Sequence, residues 1–297
     1  MLILTAYKKM KSFNDQIVSM MFKNGTTRAN IAQLDYSWRQ ILFNHNNLPR
    51  EASNILGQLT VASILLSSTI KHKGSVALQV YGEGAIKLAF AECNHDFTFK
   101  STIKLRKNIQ NLDNLTFKEM VNGEKKGVFS VIIDQKIKTH SPYQGIIPLD
   151  GENLNEIVKN YLENSEQIDS ELILTSSSKA AAGLLIQKMP STEDEADLEW
   201  KKLKEMIKKI PINFLNQKNI HTIVSHFFGK FKHKILKNKT PVFSCHCDAE
   251  RAIKMLKMLG ENEIKELSSS EKKIDVTCEF CGRLFSFDKD KCYRLFN

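Results

Sequence analysis

The sequence predicts an α+β fold in which sheets pack around a buried helix, followed by a helical linker and a small C-terminal zinc-binding domain. Three observations lead there. Residues 50–70 are apolar around most of a helical circumference. Strand-like runs outnumber helical ones on both sides of that stretch and do not alternate regularly with them. Four cysteines near the end stand in two close pairs separated by thirty residues. At 297 residues the chain can hold one large domain and a small one.

The elements follow in chain order. Gln16 to Phe22 and Arg28 to Asp35 read as strands joined by a Lys-Asn-Gly turn at 23–25. Asp35 then stands where it would cap a helix carrying Trp38, Ile41 and Leu42. In REASNILGQLTVASILLSSTI, Leu56, Leu59, Val61, Ile64, Leu65 and Ile70 leave no broad polar face, which predicts a central helix rather than a surface one. Gly57 would let that helix approach a sheet closely. Ser75–Tyr81 and Ala85–Glu92 flank Gly82-Glu83-Gly84, a hairpin signal. Phe97–Lys104, Gly127–Asp134 and Gly145–Leu149 are further strands. Glu152–Glu163 is a helix with Leu154, Ile157, Val158, Tyr161 and Leu162 on one side, and Glu171–Thr175 and Ala181–Lys188 close the domain.

After Met189-Pro190 the composition changes. Thr192 and Glu195 fit a capping box for a helix that runs to Ile210, before Pro211. Trp200, Leu203, Met206, Ile207 and Ile210 form its apolar stripe, and a second amphipathic segment carries Ile223 and Phe227 before Gly229. Helices this short are marginal alone, so the segment is expected to fold only while docked on an apolar surface. An ordinary interdomain helix pair would show the same spacing. The division expected is 1–190, 191–240 and 241–297.

Charge separates these parts. The formal net charge of +10 is carried as +2 by residues 1–195 (22 Lys+Arg, 20 Asp+Glu), +8 by 196–240 (11 and 3) and zero by 241–297 (10 and 10). A neutral cysteine module argues against nucleic acid as its partner, because such modules present a basic face to phosphates. Polar residues interrupt every apolar run short of a membrane span. The opening MLILTAYKKMKSF places its lysines after a very short apolar run, so neither a secretion signal nor a membrane location is expected. A reducing cytoplasm is the expected compartment, where six cysteines are thiols or metal ligands.

In that setting Cys245-His246-Cys247 and Cys278-Glu-Phe-Cys281 predict a structural metal site: zinc takes four thiolates tetrahedrally, and two short bites supply them. Gly282 follows the second bite and is free to take positive φ. His246 is the alternative donor, although four thiolates complete the set without it. Cys93 reads as a small buried side chain, Cys292 as a bystander thiol or a route to an intermolecular disulfide, and His221, His226 and His233 as a solvated face. Glu83 and Asp96 have no partner for acid–base work, and no glycine loop for phosphate is present.

SNILGQLTVASILLSS, Tyr143–Leu149 (YQGIIPL), YLENSEQ at 161–167 and, above all, the Cys-x-Cys, thirty residues, Cys-x-x-Cys arrangement resemble the redox-regulated 33 kDa chaperonin family. The likeness runs over essentially the whole chain. It implies sheets around a buried helix, a flexible helical linker and a zinc redox switch. It implies Cys245, Cys247, Cys278 and Cys281 as zinc ligands, with oxidation pairing Cys245 with Cys247 and Cys278 with Cys281. It further implies an ATP-independent holdase, not an enzyme, that binds unfolding client proteins and forms a homodimer when oxidised. Trp200, Leu203, Met206, Ile207, Ile210, Ile223 and Phe227 are then expected to be cover in the reduced state and client-binding surface in the oxidised one. Two other functions compete: a zinc-containing nucleic-acid-binding protein using the basic linker, and a thiol–disulfide oxidoreductase, which lacks the βαβ setting around its Cys-x-x-Cys.

Overall fold

The helix at the centre is α2 (Arg50–Thr69), which follows β1 (Gln16–Phe22), β2 (Thr27–Leu34) and the short α1 (Tyr36–Asn44). Fourteen of its residues are buried, on all sides, because a sheet packs on each flank. Its buried hydroxyls stay satisfied by bonding back into the helix. Thr60 Oγ1 donates to the Leu56 carbonyl (2.7 Å), Ser63 Oγ to that of Thr60 (2.8 Å) and Ser68 Oγ to that of Leu65 (2.6 Å). Gly57 is required by closeness: a Cβ there would lie 2.2 Å from Ser176 Oγ and 3.0 Å from the Trp38 ring. The structure, a computed structural model, describes residues 15–22, 25–45, 48–107, 109, 112–122, 126–136, 141–190, 194–270 and 273–294.

The chain continues through β3 (Ser75–Tyr81), β4 (Ile86–Asn94), β5 (Thr98–Leu105), α3 (Phe117–Val121), β6 (Val128–Asp134), β7 (Tyr143–Pro148), α4 (Leu154–Asn164), β8 (Ser170–Ser176) and β9 (Ala181–Lys188). These make two sheets. One has the order β10-β1-β2-β9-β8 and the other β11-β5-β4-β3-β6-β7, where β10 is His233–Lys239 and β11 is Val242–Phe243. All neighbours are antiparallel except β11 and β5. The α+β reading holds, with α2 between the sheets.

The far face of the five-stranded sheet is covered by α5 (Asp194–Ile207), α6 (Phe214–Gln217) and α7 (Ile220–Ile223), the last continuing as a π-helical turn over Val224–Phe228. Trp200, Leu203, Ile207, Ile210, Leu215, Ile220, Ile223 and Phe228 are buried there against Val18, Met20, Phe22, Ala29, Ile31, Ala182, Leu184 and Ile186. Met206 and Phe227 pack on the same cluster half-buried. The stripe read from sequence is therefore a second core, on the opposite side of the sheet from α2.

Several expectations shift. Asp35 holds the N-cap position of α1 without capping it: its carboxylate pairs with Arg39 (2.6 Å). Asp15 takes that task from outside the helix, its two oxygens accepting the N–H groups of Asp35 (2.7 Å) and Ser37 (2.9 Å). The helix after Pro190 ends at Ile207, and Lys209 and Ile210 make a tighter turn before Pro211. Thr192 and the Lys23-Asn24 part of the first turn lie outside the described residues. The contact pattern gives two compact units, Met1–Phe243 and Ser244–Asn297. Residues 194–243 fall in the first, since their helices cover its sheet and β10 and β11 extend its two sheets.

The second unit contains α8 (Ala249–Leu259), α9 (Glu261–Ser270), the hairpin β12 (Lys273–Thr277) with β13 (Leu284–Asp288), and α10 (Lys289–Tyr293). Among the described residues its buried apolar set is Ala252, Leu256, Ile264, Ile274, Val276, Phe287 and Cys292. No helix among the described residues is long and apolar enough to cross a membrane.

Candidate metal and redox site

Two backbone devices position the sulfurs. Cys245 and Cys247 lie in the extended stretch before α8, whose start is fixed by Asp248: its side chain accepts the Arg251 N–H at 2.8 Å. Cys278 and Cys281 sit in the turn joining β12 to β13. The Cys278 N–H donates to the Arg283 carbonyl and the Gly282 N–H to the Cys278 carbonyl, each at 2.9 Å. Gly282 closes the turn at φ +68°, the left-handed conformation expected of it.

The four Sγ atoms lie within 4.8 Å of one another. The shortest separations run across the two bites: 3.6 Å from Cys245 to Cys278 and 3.3 Å from Cys247 to Cys281. A tetrahedral ion with metal–sulfur bonds of about 2.3 Å sets its ligand sulfurs about 3.8 Å apart, so this donor set is close to the dimensions a zinc-type ion needs. All four are thiols here and half-buried. Burial pushes the Cys245 thiol up to about 11. Cys247 is raised further, by burial first and then by hydrogen bonding with the Cys281, Cys245 and Cys278 sulfurs. Cys278 goes the other way: burial would raise it, but the N–H groups of Cys281 and Phe280 point at its sulfur and lower it. The protons held on the crowded Cys245 and Cys247 sulfurs are among those a bound cation would displace.

The other sequence candidates stand apart from this cluster. His246 is exposed and its ring does not join the four sulfurs. Cys93 is fully buried in the core around α2, where burial pushes its thiol up to about 12. Cys292 is buried in the second unit's own core, which closes it to intermolecular pairing while that unit is folded. The helix that carries the expected cover residues is anchored by polar contacts that sequence spacing did not reveal. Trp200 Nε1 and Lys204 Nζ both donate to the Asp169 carboxylate (2.7 and 3.1 Å), Thr26 Oγ1 donates to Glu199 (3.2 Å), and Lys188 pairs with Asp197. Asp169 precedes β8 and lies thirty-one residues before Trp200, a separation that carries no local signal.

Comparison with known proteins agrees with this architecture. The family model described as Hsp33 protein matches residues 15–288. The 33 kDa chaperonin of Methylobacillus flagellatus is 33% identical over 285 residues, covering 95% of this chain and 94% of its own length. That of Chromobacterium violaceum is 29% identical over 284 residues, covering 96% and 94%. Among solved structures, the 33 kDa chaperonin of Thermotoga maritima superposes with a TM-score of 0.79 over 95% of this chain and 97% of the other. At 20% identity that likeness establishes the fold. With the family model spanning nearly all described residues and the four sulfurs gathered as above, the chain belongs to the Hsp33 protein family and its function is that of a chaperone.

Proposed function

We propose that this chaperone is an ATP-independent holdase switched on by oxidation of Cys245, Cys247, Cys278 and Cys281, with zinc as the metal held in the reduced state. The observation that carries the reading is the pairing of a four-sulfur cluster with a small core, seven buried apolar residues among those described. A module of this size rarely gains more than roughly 3–5 kcal/mol from its core. Zinc bound by four cysteines keeps them as thiolates and contributes on the order of 10–16 kcal/mol of apparent binding energy. The four thiolates are also the form that oxidants attack.

Each disulfide forms as two thiols lose two protons and two electrons, while one peroxide is reduced to two waters. Two such events consume all four sulfurs and leave no thiolate for the metal. Pairing Cys245 with Cys247 and Cys278 with Cys281 closes loops of three and four residues, worth about 1.5–2 kcal/mol each. That does not replace the metal, so the unit opens. The covering segment runs directly into this unit through β10 and β11. Its release would expose the stripe of Trp200, Leu203, Met206, Ile207, Ile210, Ile223 and Phe227 and the sheet face beneath it. A patch of that size binds other unfolded chains. In this reading the first unit also supplies the dimerisation surface of the oxidised form, the holding site is the uncovered face, and the compartment is the cytoplasm.

The test is a Cys278→Ser variant. It should lose zinc and suppress aggregation of a heat-unfolding client without oxidant, while the parent chain requires peroxide. A variant that is zinc-free and inactive under reducing conditions would break the proposed link between cluster and cover.

A further inference from the structure

Between Glu205 and Asp248 the chain contains no acidic residue, eight lysines and four histidines. The lysines at 234, 237 and 239 fall on β10, the edge of the five-stranded sheet, whose residues from Lys234 onward are all exposed. In a regular strand the even-numbered Lys234 would face away from Lys237 and Lys239. A bulge prevents this. Register against β1 runs Met21 with Lys234 and Met20 with Ile235, then jumps to Ser19 with Lys237 and Ile17 with Lys239, leaving Leu236 as the extra residue. Directly opposed residues share a face, so all three lysines stand on the side of Ile17, Ser19 and Met21, while His233, Ile235 and Asn238 take the other.

The row has no counter-charge. Lys234, Lys237 and Lys239 make no ion pair among the described residues. Behind it on the same face, Arg28 opposes Met21 and Asn30 opposes Ser19. Arg28 spends its donors on the Thr69 carbonyl (2.9 Å) and Gln187 Oε1 (2.7 Å) rather than on a carboxylate. The loop after α2 adds exposed Lys71 and Lys73. Between them His72 has its pKa lowered, by burial first and in smaller part by His95 and Lys237.

We infer that the bulged face of β10 is a docking surface for single-stranded nucleic acid, gripped through its phosphodiester backbone. Lysines two apart on a strand repeat at about 6.6 Å along one line. Such a line can follow one phosphate backbone and offers no element to enter a duplex groove. Lysines on an edge strand also deter edge-to-edge pairing, but that role is served by charge on either face and does not need a bulge that aligns them. The surface lies in the first unit and is independent of the cysteine cluster.

The experiment is fluorescence anisotropy of a labelled oligouridine with the full-length, reduced, zinc-loaded protein across a salt series. Three phosphate contacts give a log–log slope of about −2 (0.7 per contact for single strands). A Lys234→Gln/Lys237→Gln/Lys239→Gln variant should bind at least tenfold more weakly with the slope reduced by about 2. A Lys201→Gln/Lys202→Gln/Lys209→Gln control on α5 and the turn after it should keep both. Deleting Leu236 retains every charge, removes the bulge and leaves Lys234 two positions from Lys237, so the three lysines stay on one face of a regular strand. If the deletion variant keeps the parent's melting profile, it should bind as tightly as the parent, and a folded deletion variant as weak as the triple variant overturns the inference. If it does not fold, the triple variant alone decides. Unchanged binding by a folded triple variant overturns the inference. So does equal affinity for duplex RNA, or tighter binding to phosphatidylglycerol vesicles than to oligouridine.

Discussion

The two compact units solve the problem of staying folded by different means. The first encloses α2 between two sheets and adds a second core beneath α5 to α7, so its stability is spread over dozens of buried side chains. Among the described residues, the second has seven such side chains and four sulfurs facing one another. Stability drawn from burial cannot be withdrawn by a chemical signal. Stability concentrated in four thiols can be. Under the proposed function, the redox switch would therefore lie in the unit with the smaller core, and the surface it controls on the unit that survives.

That contrast can be broken experimentally, most severely by removing the metal. Chelation under reducing conditions should unfold the second unit and leave the first intact. In an alkylation experiment read by mass spectrometry, Cys292, now in the small core, should become reactive, while Cys93 stays protected. Equal protection of both would mean that the small core stands without metal.

Next in size is Leu65→Ala in α2. The side chain is fully buried, and its truncation should cost about 2–5 kcal/mol in denaturant melts of the first unit. Zinc stoichiometry should not change. A smaller and more functional effect is expected from Trp200→Ala, which removes a buried ring and its bond to Asp169. Partial client holding without oxidant, measured by light scattering, is the expected outcome. A fully inactive variant would show that the cover is held by something other than this anchor.

The effect that is smallest at neutral pH concerns Cys93. Its folded-state thiol is raised to about 12 by burial, above the ordinary range near 8.5. A raised value means that the preference for the protonated, folded form is fully present below about pH 8.5 and is lost as pH rises toward 12. Between those limits the parent should lose stability relative to Cys93→Ala at about 1.4 kcal/mol per pH unit. A flat difference between the two melting curves would place Cys93 in contact with water.

Much of this was legible beforehand where the signal is local. The circumference of α2, the Gly82–Gly84 hairpin and the glycine after Cys281 each depend on residues within one or two turns of chain, and each forms as read. β10 gave no such signal. Its residues are exposed on both faces, so no apolar alternation marks it, and only its pairing with β1, more than two hundred residues away, makes it a strand. The helices between the two cysteine pairs are likewise absent from the sequence reading. α8 carries its apolar side at Ala252, Ile253 and Leu256, a helical spacing present in the sequence, and that side packs into the small core.

By itself the sequence determined the chemistry: four cysteines at fixed spacing, a stripe of apolar residues among lysines, and a helix too apolar to lie on a surface. Tertiary structure alone decided the assignments across distance. It set Asp15 as the cap of α1, Asp169 as the anchor of Trp200, the sheet face that α5 covers, and the bulge that gathers three lysines. The physical reason is that ligand type and burial preference are properties of side chains, whereas register and long-range hydrogen bonds are properties of pairs, and a pair exists only once the chain has closed.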